Sequence, residues 1–174
     1  MFLAGGANGG ISKPEAWDEL RATSDGKIGF AVYVDAMNEL PTSWKQWDCH
    51  AQITGAWGHF NLVIIELALY KVALKRFPNA AWFVFVSGDS VPVKSAETFI
   101  TPPFNESCVG FWPVWELEPD VHEHSQWKAM RRHDAQLVVQ HCTSEYMHAA
   151  KIKHDALRTR HGCCGIPAPG EKHE

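Results

Sequence analysis

The sequence lacks any block of basic residues: its 16 Lys and Arg are outnumbered by 20 Asp and Glu, for a formal net charge of −4. Affinity for a phosphate backbone comes from counterions released by clustered cations, so nucleic acid is not an expected partner. It also lacks an apolar run near the roughly 20 residues that cross a bilayer. The opening MFLAGGANGG has no charged segment followed by an apolar one, so no membrane segment is expected in this chain, which reads as soluble or as a piece of something anchored elsewhere. Five cysteines (Cys49, Cys108, Cys142, Cys163, Cys164) make an odd set without repeated spacing, which is no disulfide framework. Bridges and plain buried thiols both stay open.

Catalytic templates are missing as well. There is no Gly-x-x-x-x-Gly-Lys phosphate loop, no Gly-x-Gly-x-x-Gly after the first strand and no Gly-x-Ser-x-Gly elbow. The glycine-rich GGANGG is read as preceding any strand and is set aside. No Asp-x-Asp pair is present to hold the cation of a diphosphate. His122-x-His124, and His161 near Cys163-Cys164, do not have zinc-ligand spacing and read as solvated loop histidines. No metal site is expected.

What remains is a chain of 174 residues, enough for one domain (1–174) with a real core and too short for two comfortable ones. Ten histidines and eight tryptophans stand out. Indole faces suit the C–H face of a pyranose, and they equally serve as core mass.

Short apolar runs alternate with helical stretches. Glu15–Arg21 follows Pro14, with Ser12 as the expected cap. Gly26–Asp35 (GKIGFAVYVD) has the content of a buried strand. Asn38–Asp48 reads as loop. Gly58–Phe77 is the clearest helix, with Phe60, Val63, Ile64, Leu67, Tyr70 and Leu74 on one face, and Leu62, Ile65 and Leu69 on the other. Pro78 stops it. Ala81–Val86 (AWFVFV) predicts a buried strand ending in the turn Ser87-Gly88-Asp89-Ser90. Cys108–Phe111 is a strand candidate, Trp112–Glu123 an irregular loop, Ser125–Met130 a strand and His133–His141 a helix. Beyond Ser144 the signal weakens, and the tail 161–174 reads as loop.

Strand–helix–strand alternation predicts an α/β domain with a largely parallel sheet, whose ligands lie at the carboxyl ends of the strands. Asp35 and Asp89 fall at such ends. A small-residue turn lets a ligand approach the backbone, and Asp89 can accept hydrogen bonds from hydroxyls. An ordinary turn with a capping Asp has the same composition.

Several segments, in order, resemble the Core-2/I-branching glycosyltransferases (family 14), most closely the branch common in plants and algae. They are MFLAGG…PEAWDEL, FAVYVDA, Trp57-Gly58 with NLVIIELALYKVAL (Glu66 at the acidic position), WFVFVSGDSVPVKS, and HSQWKAMRRHDAQLVV. Together they span nearly the whole chain, each being moderately specific.

The resemblance implies a GT-A-like fold and transfer of a sugar, often N-acetylglucosamine, from a UDP donor to a glycan or glycoprotein hydroxyl, with inversion and without a metal cofactor. It implies Asp35, Trp57, Gly88 and Asp89 around the nucleotide sugar, and Ser125, Gln126 and Trp127 toward the acceptor. It makes Glu171 the general base for the acceptor hydroxyl, and it implies the Golgi lumen. The family's Asp before that Glu is Gly170 here, and the sequence stops at Glu174, before the basic segment that holds the family's diphosphate. The domain is therefore expected to be incomplete at its C-terminus. A pseudoenzyme that binds carbohydrate or nucleotide on the same fold is the alternative.

Overall fold

A computed structural model of the chain describes residues 2–5, 10–34, 40–49, 60–101, 106–113 and 122–161. Five strands form one sheet: β1 (Phe2–Gly5), β2 (Ala31–Val34), β3 (Trp82–Ser87), β4 (Cys108–Pro113) and β5 (His122–Arg131), in the order β2-β1-β3-β5-β4. β1 runs parallel to both β2 and β3, while β5 runs antiparallel to both β3 and β4. The α/β class stands, and the sheet is mixed rather than largely parallel. Only residues 114–121 separate β4 from β5. That is too few for the crossover of about a dozen residues that parallel neighbours require.

Among the described residues are also helices α1 (Pro14–Ala22), α2 (Asn61–Arg76), α3 (Ala96–Ile100), α4 (Arg132–His141) and α5 (Ser144–His161), with a 3-10 turn at Thr42–Trp47 inside the segment expected as loop. Alternation along the strands builds two cores, one on each face. Ala31, Tyr33, Phe83, Phe85 and Met130 pack with Ile65, Leu69, Tyr70 and Ala73 of α2 and Ala135 of α4. Phe30 and Val32 pack on the opposite face with Trp17 and Leu20 of α1, Trp44 and Trp47 of the 3-10 turn, and Ala96 of α3. The sheet is thus sandwiched between helical layers. The Phe30 ring lies stacked on Trp44 at 5.6 Å and edge-on to Trp47 at 5.3 Å, and the Trp44 indole N–H donates to Asp18 at 2.9 Å. Trp17, Trp44 and Trp47 are core mass and do not line a sugar cleft.

Both apolar sides read from the α2 sequence contribute to the core: Phe60, Leu67 and Tyr70 from one, Ile65 and Leu69 from the other, with Ala73. Glu66 is the charged residue among them. The structure tolerates the charge because Lys128, 62 residues away in sequence, supplies the counterion.

Beyond Ser144, where the sequence signal is weak, α5 is an 18-residue helix. Its sequence is rich in helix formers but has no apolar stripe, so periodicity misses it. The Thr143 hydroxyl accepts from the Tyr146 N–H at 3.2 Å, and Lys151 pairs with Asp155 one turn on. Strand β4 extends to Pro113 and β5 starts at His122, so the ends of the expected loop Trp112–Glu123, with His122 and His124, belong to strands. Among the described residues no helix is long and apolar enough to cross a membrane.

Candidate functional site

In an open α/β sheet, ligands bind at the carboxyl edge where successive connections leave a strand in opposite directions. Here that strand is β1. The chain passes through α1 to β2 on one side, and then through α2 to β3 on the other. That rule points to the carboxyl ends of β1 at Gly5 and β3 at Ser87. GGANGG begins at the end of β1, so it follows a strand, contrary to the sequence reading.

A backbone hydrogen bond spans this edge: the Ser12 N–H donates to the Gly88 carbonyl at 2.7 Å. Ser12 is consequently not the side-chain cap of α1. Lys13 occupies the capping position in the left-handed conformation (φ 48°, ψ 57°), with no side-chain capping bond. A non-glycine residue there costs about 1–3 kcal/mol and persists only where the surroundings enforce it. The Ser12–Gly88 bond on one side and Pro14 at the start of α1 on the other are such constraints. α1 opens beside this edge with its N-terminal end, where the helix dipole favours negative charge.

The turn after β3 carries the polar groups. The Ser87 hydroxyl donates to the Asp89 carboxylate and lies 3.0 Å from the Ser90 hydroxyl. The Ser90 N–H donates to the Ser87 carbonyl at 3.1 Å, closing the turn. Gly88 is buried and Asp89 exposed, so the carboxylate faces solvent with one hydroxyl oriented against it. Such a turn presents acceptor oxygens and hydroxyl dipoles suited to a polyol.

Of the residues chosen from sequence, Gly88 and Asp89 form this turn. Ser125, Gln126 and Trp127 lie on β5. The β3–β5 ladder ends at Phe85–Lys128. Counting on antiparallel, residues 127, 126 and 125 fall level with Val86, Ser87 and Gly88. The register thus carries that stretch of backbone toward the same edge. Asp35, Trp57 and Glu171 lie outside the described residues. Ser12 is expected from sequence only as a helix cap, and Ser87 and Ser90 only as members of the turn, with no role of their own at the site. Serines in a turn carry no specific signal, and Ser12 acts through its amide, which any residue has.

Behind the sheet sits a polar cluster that local sequence does not disclose. The Lys128 ammonium lies 2.8 Å from Oε1 and 2.9 Å from Oε2 of Glu66, and 5.7 Å from the centre of the Phe85 ring. The Tyr70 hydroxyl is held beside Glu66. Burial pushes its pKa far up, and the charge of Glu66 pushes the same way. Burial likewise raises the Cys142 thiol, against Lys71 and with Glu66. At the start of α4, the Ser107 hydroxyl accepts from the Arg131 N–H at 2.8 Å and donates to Asp134. That bond, with a further one from His133, holds the Asp134 carboxyl below its ordinary range.

Among the described residues, no three His, Cys, Asp or Glu side chains gather where they would hold a metal ion. No protein-family model matches the chain, and no curated protein matches it.

Proposed function

We propose that the chain is a glycosyltransferase domain of the GT-A-like, Core-2/I-branching type. It moves a sugar, often N-acetylglucosamine, from a UDP donor to a glycan or glycoprotein hydroxyl with inversion and without a metal, in the Golgi lumen. The observation that carries this reading is the switch point at the carboxyl ends of β1 and β3. The parallel strands β2-β1-β3 end there beside the N-terminal end of α1 and the Ser87–Ser90 turn, with Ser12 tied to Gly88. A nucleoside diphosphate suits a helix N-terminus at such a point. Asp89 offers a carboxylate to sugar hydroxyls, and β5 leads residues 125–127 to the acceptor side. Asp35 and Trp57 are proposed at the donor, and Glu171 as the base that takes the acceptor's proton.

Calorimetric titration with UDP and UDP-N-acetylglucosamine, each with Mn²⁺ and with EDTA, tests this directly. The reading predicts binding of both that EDTA does not weaken. No binding by the full-length product removes the donor-site proposal, and binding abolished by EDTA removes the metal-free mechanism. Glu171→Gln is expected to keep donor binding and lose transfer, and unchanged turnover excludes Glu171. Donor binding without any transfer by the unaltered protein identifies the non-catalytic alternative.

A further inference from the structure

Lys128 is the point at which the sheet divides. The β3–β5 ladder runs from Trp82–Arg131 to Phe85–Lys128 and stops. Beyond it β3 continues in pairing with β1 through Val86 and Ser87, while β5 continues in pairing with β4 through His124, Glu123 and His122. The β4–β5 ladder also breaks regularity there: Val109 pairs with Lys128, and the register shifts between Val109 and Phe111. Both ladders that pass through β5 therefore change at one residue. Among the described residues, the β3–β5 ladder does not extend to the Ser87–Ser90 turn or to the backbone of 125–127, which the register brings level with it.

The residue at this fork is a charged one, held in the core. The Lys128 side chain is 4% exposed and reaches both carboxylate oxygens of Glu66, itself 16% exposed. An apolar pair of the same volume would ordinarily serve stability as well or better, because two charges must be desolvated to make the buried bridge. What an apolar pair lacks is direction. A one-residue slip of β5 would turn position 128 to the opposite face and strand both charges. Leucine or methionine on either side would accept several neighbouring registers.

We propose that the Glu66–Lys128 ion pair is a positioning device: it fixes where β5 parts from β3 and thereby where residues 125–127 stand relative to the Ser87–Ser90 turn. Its consequence for ligand binding rests on the function proposed above; its consequence for the strand does not.

The test replaces both charges together, Glu66→Leu with Lys128→Met, so that no lone charge is buried, and compares this double variant with Lys128→Arg and the unaltered protein. Amide hydrogen exchange, thermal melting and UDP calorimetry are read on all three. We expect the double variant to melt cooperatively at or above the temperature of the unaltered protein. We expect its amides at 122–127 to exchange at least tenfold faster, those at 82–85 to be unchanged, and its UDP affinity to fall at least tenfold. Lys128→Arg, which keeps the charge pair, is expected to retain the native exchange pattern. Native exchange at 122–127 in the double variant overturns the proposal, showing the pair to be core filling. Loss of its cooperative melt also overturns it, since the pair would then serve stability itself. If the unaltered protein binds no UDP, the function proposed above fails, and the exchange measurement still decides the role of the pair.

Discussion

The Ser12 N–H and the Gly88 carbonyl meet at 2.7 Å across the carboxyl edge of β1 and β3, joining the segment that enters α1 to the turn that leaves β3. Two segments distant in sequence thus form one rim. The left-handed Lys13 and the Ser87–Asp89 hydrogen bond lie next to that contact, one on each side.

Asp89 is exposed, so Asp89→Ala is expected to change stability by no more than about 0.5 kcal/mol. Ligand affinity is expected to weaken about tenfold, or ~1.4 kcal/mol. Thermal melting and UDP-sugar calorimetry on the same preparation separate the two effects. Undiminished affinity would remove Asp89 from the site.

Gly29 lies under the Phe77 ring at the end of α2: a Cβ built on it would overlap Cε1 and Cζ of that ring. The ring is half-buried against the α2 core and cannot swing clear without loss of packing. Gly29→Ala is therefore expected to destabilise by about 1–3 kcal/mol. In a Phe77→Leu background the same change should cost distinctly less. Urea unfolding of the four proteins measures the coupling, and strict additivity would show that the ring yields freely.

Trp44 is fully buried, stacked on Phe30 and hydrogen-bonded to Asp18. Trp44→Ala is expected to cost about 3–5 kcal/mol, enough to unfold a marginal domain. Trp44→Phe keeps the stacking and should cost less. A folded Trp44→Ala protein with near-native melting would contradict the placement of the aromatic core.

Tyr70 gives a pH dependence with a definite sign. Its pKa is raised on folding by burial and by Glu66, so the native state favours the neutral phenol. That stabilisation is complete below the unfolded value, about 10, and is lost progressively as pH rises above it, at up to ~1.4 kcal/mol per pH unit. Tyr70→Phe should therefore lose stability less steeply than the unaltered protein between about pH 10 and 11, as urea unfolding at stepped pH would show. Parallel slopes would place the hydroxyl in water.

The elements most legible in the sequence are those whose signal is local. The run AWFVFV with its following small-residue turn became β3, and the apolar stretch before Pro78 became α2. The turn containing Gly88 and Asp89 was found from its place after a strand. What escaped depends on distant partners or on backbone alone. Glu66 on α2 finds its counterion in Lys128 of β5, and the antiparallel pairing of β4 with β5 follows from the short link between them. Ser12 participates through its amide. α5 is held by a capping hydroxyl and a charge pair one turn apart, so it leaves no apolar stripe to read.

The central claim is that the carboxyl edge of β1 and β3 holds a nucleoside diphosphate. Amide NMR of the isotope-labelled protein titrated with UDP tests it most directly. The account predicts saturable shifts concentrated at Ser12, Lys13 and Gly88–Ser90. Shifts confined to α4 and α5, or none at millimolar UDP, would contradict it.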